Sequence, residues 1–326
     1  MRAGEMGGKQ RPEPVADSSN SNYLDAMKRA LAALIAILPA FAVSPAYAGG
    51  HSLPDTYVLQ GAPDAAPEGI AVHTDGRMWV GSSATGRLYQ GDVRRSSLTP
   101  VRAAGTVERG TTLGVHTDAT GNVWSVGAGT LTVHDRHGRL LSTATAEAGP
   151  VGAPILNDLV ITPTAVYVTD FANPTVHRAE RRGARLGPLQ PWLDMRTALP
   201  GFPAQYWFLN GVVADRSGST LLVAGNGTEA LWRIDTETRE TAQVDLGGRS
   251  FGADGMQLRG TTLYAVLNYA SPNGVYLVRL DPALTSGTVT DEVLLSGLPT
   301  TLAVHRCRVY VVNSPQVQAI PDPACR

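Results

Sequence analysis

The chain is poor in cysteine, in surplus charge of either sign and in apolar runs long enough to span a membrane. Its 326 residues hold two cysteines, Cys307 and Cys325. Two thiols make a poor zinc set. In an exported chain such a pair reads as a disulfide tying the tail to the last strands. Lys plus Arg number 27 against 28 Asp plus Glu, a formal charge of −1. That balance leaves no electrostatic footprint for nucleic acid or an anionic membrane surface. The Arg-rich stretch "HRAERRGAR" (177–185) is interrupted by Glu180 and reads as a solvated hairpin tip. The apolar run from Ala30 to Val43 is too short for a membrane span and is broken by Pro39.

What that run does resemble is a leader. Met27, Lys28 and Arg29 precede it, and Ala46-Tyr47-Ala48 closes it in a small-x-small pattern. Residues 27–48 are therefore expected to be a secretory signal peptide cleaved near Ala48. Residues 1–26 are polar and read as a disordered extension or a start placed too early. The mature protein is expected to be one domain over 49–326, secreted or otherwise extracytoplasmic, with no membrane span after cleavage.

The mature sequence repeats. A short apolar strand, a turn with Asp, Gly or Pro, and a second strand centred on an aromatic residue or Leu recur in "EGIAVHTDGRMWVGSS" (68–83), "TTLGVHTDATGNVWSVGA" (111–128) and "NDLVITPTAVYVTDF" (157–171). The pattern continues in "NGVVADRSGSTLLVAGN" (210–226), "DGMQLRGTTLYAVLN" (254–268) and "TTLAVHRCRVYVVNS" (300–314). Anchored on Val72, Val115, Ile161, Ala214, Leu258 and Val304, the intervals are 43, 46, 53, 44 and 46 residues. Short strands at this period, without long helical stretches, predict an all-β, six-bladed β-propeller with four-stranded antiparallel blades. A β-sandwich is the rival, but it supplies no such period. The strand "DTYVLQG" (55–61) is placed to pair with the last blade and close the ring.

Four residues before each anchor stand Glu68, Thr111, Asn157, Asn210, Asp254 and Thr300. In a propeller a common offset on the innermost strands is a ring around the central channel. Carboxylates and carboxamides there need a partner, and oxygen donors with two negative charges suit Ca²⁺. Mg²⁺ and Mn²⁺ belong to the same hard class, whereas Zn²⁺ prefers His or Cys. Asn-Asp, Asn-Gly and Asp-Gly are also ordinary turn dipeptides. The recurrence at one offset is what favours a shared cation. The expected metal set is Glu68, Asn157, Asn210 and Asp254.

"PEGIAV", "LNDLVI", "LNGVVAD" and "ADGMQL" resemble the marked positions of the senescence marker protein/gluconolactonase family of six-bladed propellers, over essentially the whole mature chain. The resemblance implies a divalent metal on Glu68, Asn210 and Asp254, with Asn157 on its substrate side. The chain departs from the sugar-lactone members in having Ile155 where they carry Arg, and from paraoxonase-type enzymes in having Thr111 and Thr112 where they place a His.

On this reading Asp254 and Asn157 are the expected catalytic residues of a lactone or ester hydrolase. Asn157, Asp170, Thr111 and Thr300 are expected to meet a small-molecule substrate at the channel mouth. Asn226, Asn268 and Asn313 form an outer shell, and Tyr206, Trp207 and Phe208 are candidates to wall the pocket. A non-catalytic propeller that binds a ligand or partner beside a structural metal is the alternative. His73, His116 and His305 read as features of the repeat. "GRSFG" (248–252) lacks the helix that a nucleophile elbow requires, which removes Ser250.

Overall fold

The computed structural model describes residues 52–61, 65–101, 110–205, 207–268 and 271–325. The expected leader, the extension before it and Tyr206 lie outside the described residues. Short apolar segments punctuated by polar turns fold into one antiparallel hairpin after another. The chain begins with β1 (Thr56–Leu59), then β2 (Pro67–Val72), β3 (Arg77–Ser82), β4 (Leu88–Asp92) and β5 (Ser97–Pro100). A four-stranded sheet follows, β6 (Val115–Thr117), β7 (Val123–Gly127), β8 (Thr130–His134) and β9 (Leu140–Thr145), paired in that order.

The third sheet has β10 (Leu156–Ile161), β11 (Ala165–Asp170) and β12 (Thr175–Arg182), with β13 (Arg185–Leu186) and β14 (Gln190–Asp194) both pairing with β12. A single-turn helix α1 (Met195–Ala198) comes next, capped by the Asp194 carboxylate, which accepts from the Arg196 backbone N–H at 2.9 Å. Two regular four-stranded sheets complete the middle of the chain. One is β15 (Leu209–Ala214), β16 (Thr220–Gly225), β17 (Ala230–Asp235) and β18 (Thr241–Gln243). The other is β19 (Ala253–Arg259), β20 (Thr262–Leu267), β21 (Gly274–Leu280) and β22 (Gly287–Leu294). Last come β23 (Pro299–His305), β24 (Arg308–Asn313) and β25 (Gln316–Pro321).

The second strand of each hairpin set is buried almost throughout, as in β7, β11 and β16. A strand buried on both faces must be apolar on both faces, which is how "VWSVG" and "TLLVAG" read. Apolar clusters form between successive sheets. Trp79 packs with Val115 and Val123, Trp124 with Leu156 and Val168, and Tyr167 with Leu209 and Val223. Leu222 packs with Met256 and Ala265, Tyr264 with Leu302 and Val309, and Tyr310 with Ile70 and Met78. That last junction returns to the first sheet, so the sequence of sheets closes on itself.

Closure also runs through the backbone. β1 pairs antiparallel with β25 (Tyr57 opposite Val317) and parallel with β5 (Val58 opposite Ser97). It thereby fuses β2–β5 and β23–β25 into one eight-stranded sheet. Tyr57 is fully buried and donates from its hydroxyl to the Val93 carbonyl at 2.7 Å. A disulfide joins Cys307, in the β23–β24 turn, to Cys325, in a closing 3-10 turn (Pro323–Cys325), with Cα atoms 5.6 Å apart. Among the described residues, no helix is long and apolar enough to cross a membrane.

Candidate functional site

The inner strands β2, β6, β10, β15, β19 and β23 pack side by side, each against the next, and β23 against β2. Their close approach is permitted by small residues near their starts. A Cβ on Gly69 would lie 1.9 Å from the Leu113 carbonyl oxygen, and one on Gly211 would lie 2.2 Å from that of Asp254. Thr300 Oγ1 donates to the Glu68 carbonyl at 3.1 Å where the last inner strand meets the first.

Cross-strand pairing fixes which residues share a level. Ala71 faces Trp79, Val160 faces Tyr167, Gln257 faces Tyr264 and Ala303 faces Tyr310. Glu68, Asn157, Asp254 and Thr300 then stand at one level, with Asn210 at the matching place on β15. In β6 the residue facing Trp124 is His116, so that level falls on Leu113 and not on Thr111. The shared "VHTD" is misleading because the two hairpins turn at different points. The first turns at His73, whose carbonyl accepts from Gly76 N–H, and the second at Asp118, whose carbonyl accepts from Gly121 N–H. The Asp118 carboxylate fixes that turn by accepting from the N–H groups of Thr120 and Asn122. Thr111 is thus corrected out of the ring. Its hydroxyl accepts from Ala128 N–H at 3.1 Å, and a leucine takes the ring position.

Glu68, Asp254 and Asn210 form one electrostatic neighbourhood. Asp254 is 4% exposed and Asn210 2%, while Glu68 and Asn157 are half-buried. Burial first, and the Asp254 carboxylate second, push the Glu68 carboxyl well above the usual range. Burial likewise raises Asp254 to about 7; the carboxamides of Asn268 and Asn210 pull against that rise and the charge of Asp158 adds to it. Asn268 Nδ2 donates to Asp254 Oδ2 at 2.7 Å and to the Pro299 carbonyl at 2.8 Å. Asn210 Nδ2 donates to Asn226 Oδ1 at 2.5 Å, and Asn226 Nδ2 to the Gly252 carbonyl at 2.9 Å. Asn226 and Asn268 therefore orient the residues in front of them.

Two buried oxygens, Asn210 Oδ1 and Asn268 Oδ1, receive no hydrogen bond. Together with the two carboxylates they make an oxygen-rich, donor-poor neighbourhood, which a hard cation satisfies and an apolar or anionic group does not. Among the described residues, no group of three or more His, Cys, Asp or Glu side chains is placed to hold a metal ion. A cation here depends on carboxamide oxygen, as the Glu68, Asn210 and Asp254 set does.

Other expected contacts fall elsewhere. Asp170 is fully buried, and its carboxylate is consumed within the fold. Oδ1 accepts from the N–H groups of Ile155, Ala172 and Asn173 at 3.0–3.1 Å, and Oδ2 from Asn173 Nδ2 and His177 Nε2. It fixes the loop ahead of β10 and is not open to a ligand, which corrects its expected substrate role. Thr300 likewise spends its hydroxyl on Glu68. Asn313 Nδ2 donates to the Ser296 carbonyl, in a neighbouring loop. Trp207 is buried in the core between the third and fourth sheets. Phe208 stacks on Phe171 with ring centroids 4.7 Å apart, and both adjoin inner-strand positions.

Asp158 is a residue that the repeat pattern does not single out. It occupies the position where the neighbouring units carry Gly69, Gly114, Gly211 and Gly255. Its carboxylate accepts from His116 Nε2 at 2.9 Å, Leu159 N–H at 2.8 Å and Val212 N–H at 3.2 Å, pinning three inner strands together. A carboxylate in a column of glycines was the signal available for it.

No protein-family model and no curated protein matches the chain. Solved structures do. One of a candidate gluconolactonase superposes with a TM-score of 0.57 at 16% identity, covering 79% of this chain and 88% of the other. One of a candidate 6-phosphogluconolactonase from Bacteroides fragilis gives 0.55 at 14%, covering 78% and 80%. The β-propeller domain of Myceliophteria thermophila Cps50 (Swd1) gives 0.56 at 10%, covering 78% and 96%. The chain is an all-β propeller. Its four-stranded antiparallel sheets are blades, and Glu68, Asn210 and Asp254 each stand second in one of the strands β2, β15 and β19 that pack side by side.

Proposed function

We propose that this protein is an exported, divalent-metal-dependent hydrolase of lactones or esters, built on six blades and akin to the gluconolactonase propellers. The observation that carries the reading is the buried Glu68–Asp254 carboxylate pair beside the undonated oxygens of Asn210 and Asn268. The sixth blade on this reading is β23–β24–β25 completed by β1, so the eight-stranded sheet counts as two blades joined at β1 and β5. Similarity to solved lactonase-like propellers supports the substrate class at low identity. The Cys307–Cys325 disulfide supports an oxidising compartment.

Glu68, Asn210 and Asp254 would hold the cation, Ca²⁺ on the strength of the all-oxygen donor set, with Asn157 beside it. When bound, the ion supplies Lewis acidity toward an ester or lactone carbonyl oxygen. Asp254, held through Oδ2 by Asn268, would keep its second oxygen to take a proton from an attacking water. Asn157, half-buried at the same level, offers its amide N–H to the oxyanion.

The test is turnover of a lactone and aryl-ester panel by the purified protein, with Ca²⁺, Mn²⁺ or chelator. Activity lost to chelator and to Asp254→Ala supports the reading, whereas activity indifferent to both sinks it. The second reading, a non-catalytic binding propeller with a structural metal, is favoured by the match to the Cps50 propeller domain. It predicts metal-dependent stability without turnover on any ester.

A further inference from the structure

The other end of the channel carries a second cavity, of about 370 Å³. It lies at the finishing ends of β2, β19 and β23: its rim residues His73, Arg259 and His305 stand about five residues, roughly 16 Å along the strands, beyond Glu68, Asp254 and Thr300, and its depth reaches back to Ile70, Met256 and Leu302. Ile70, Val72, Met256, Leu302 and Val304 supply the apolar part of its lining. Its rim carries nitrogen donors: Gln257, Arg259 and His305, with His73 and His116 alongside. A cavity of this size, part apolar with a few converging polar groups, is an ordinary form of a small-molecule site.

The donors are held in place. Gln257 and Arg259 are two apart on β19 and so project to one side of the strand. Both are fixed by one residue of the adjacent blade: Val304 N–H donates to Gln257 Oε1 at 2.7 Å, and Arg259 Nη2 donates to the Val304 carbonyl. The Gln257 amide nitrogen is left without a described partner, and no described carboxylate pairs with Arg259. His305 is 8% exposed, and no described residue hydrogen-bonds its ring. Burial first, then Arg306 and Arg259, hold its imidazole below the usual range, so near neutrality it is an uncharged donor.

The acids nearby are already engaged. Asp118, on the lining, accepts from Thr120, Asn122 and the Trp124 indole. Asp75 pairs with His73 and Arg77, and Asp158 with His116.

We propose that this cavity binds a small organic monocarboxylate, its apolar body against Ile70, Met256 and Leu302 and its carboxylate on Arg259, Gln257 and His305. A guanidinium without a partner carboxylate, side by side with a free carboxamide N–H, matches the planar two-oxygen geometry of a carboxylate. The apolar wall selects an aryl or short alkyl body over acetate. The site is independent of the metal reading and holds whether or not the ring is catalytic.

Benzoate, benzamide and acetate are the probes, titrated calorimetrically into the whole protein with chelator present, with the Met256 methyl resonance as reporter of place. Benzoate is expected to bind and shift Met256, with benzamide and acetate each weaker by about tenfold or more. Arg259→Gln, at an exposed side chain, is expected to bring benzoate down to the benzamide level without changing the unfolding temperature. Gln257→Leu, a second and independent variant, is expected to weaken benzoate selectively. Equal affinity for benzoate and benzamide, no binding of either, an unmoved Met256, or benzoate affinity untouched by Arg259→Gln would each overturn the proposal.

Discussion

Asn268 makes two hydrogen bonds with one amide group, to the Asp254 carboxylate and to the Pro299 carbonyl, and so ties the charge of one blade to the backbone of the next. Residues in that supporting position commonly set metal affinity by about 10- to 100-fold. Asn268→Ala is therefore expected to weaken Ca²⁺ binding by that order in calorimetry while leaving the fold intact. A second prediction concerns pH. Glu68 and Asp254 hold their protons more tightly folded than unfolded, so the cation-free native state binds more protons between about pH 4 and about pH 7. Stability should be fully present at the acid end and decline as pH rises through about 7, with Ca²⁺ removing the decline. Unfolding temperatures at about pH 5 and about pH 8, with and without Ca²⁺, test it; a flat metal-free profile would refute it. Glu68, Asn210 and Asp254 were legible in the sequence because each opens an apolar strand at a fixed offset. The Asp158–His116 pair was not, because its partners lie 42 positions apart and the repeat disguises both.

At the level of strands, spacing predicts the hairpins well but not their turns. The interval of 53 residues between Ile161 and Ala214 is explained by β13, α1 and the loop after it, which the third sheet carries in addition to its four strands β10, β11, β12 and β14. The displaced turn of the second hairpin depends on Asp118 side-chain bonds that no periodicity encodes, which is why Thr111 was misplaced by two residues. The packing of inner strands gives its own test. Gly211 lies so close to the Asp254 backbone that any side chain forces the strands apart. Gly211→Val is expected to cost about 2 kcal/mol or more in urea unfolding. Gly187→Ala, where a Cβ would meet its nearest neighbour at an ordinary 3.5 Å, should cost far less.

Across the whole molecule, the closed arrangement of sheets follows from the repeat, since each blade buries its second strand only between neighbours. The Cys307–Cys325 bond adds a covalent loop with a sequence separation of 18 residues. Loop-closure entropy for that span is worth about 3 kcal/mol. The double variant Cys307→Ser, Cys325→Ser should lose about that much in denaturant, and reductant should have no further effect on it. A loss near zero would mean that hydrogen bonds around Asp322, which joins Cys307 and Tyr264, already secure the tail.

The seam at β1 has a consequence for the order of assembly. The strand that leaves the ribosome first among those described can find its antiparallel partner, β25, only after nearly all of the chain has been made. The circle is consequently fastened after synthesis rather than during it, with a pairing of very long sequence separation as its slow final event. Until then the free margins of β1 and β25 stand open to other chains, so a newly made molecule is most exposed to mispairing at the place where the finished one is sealed.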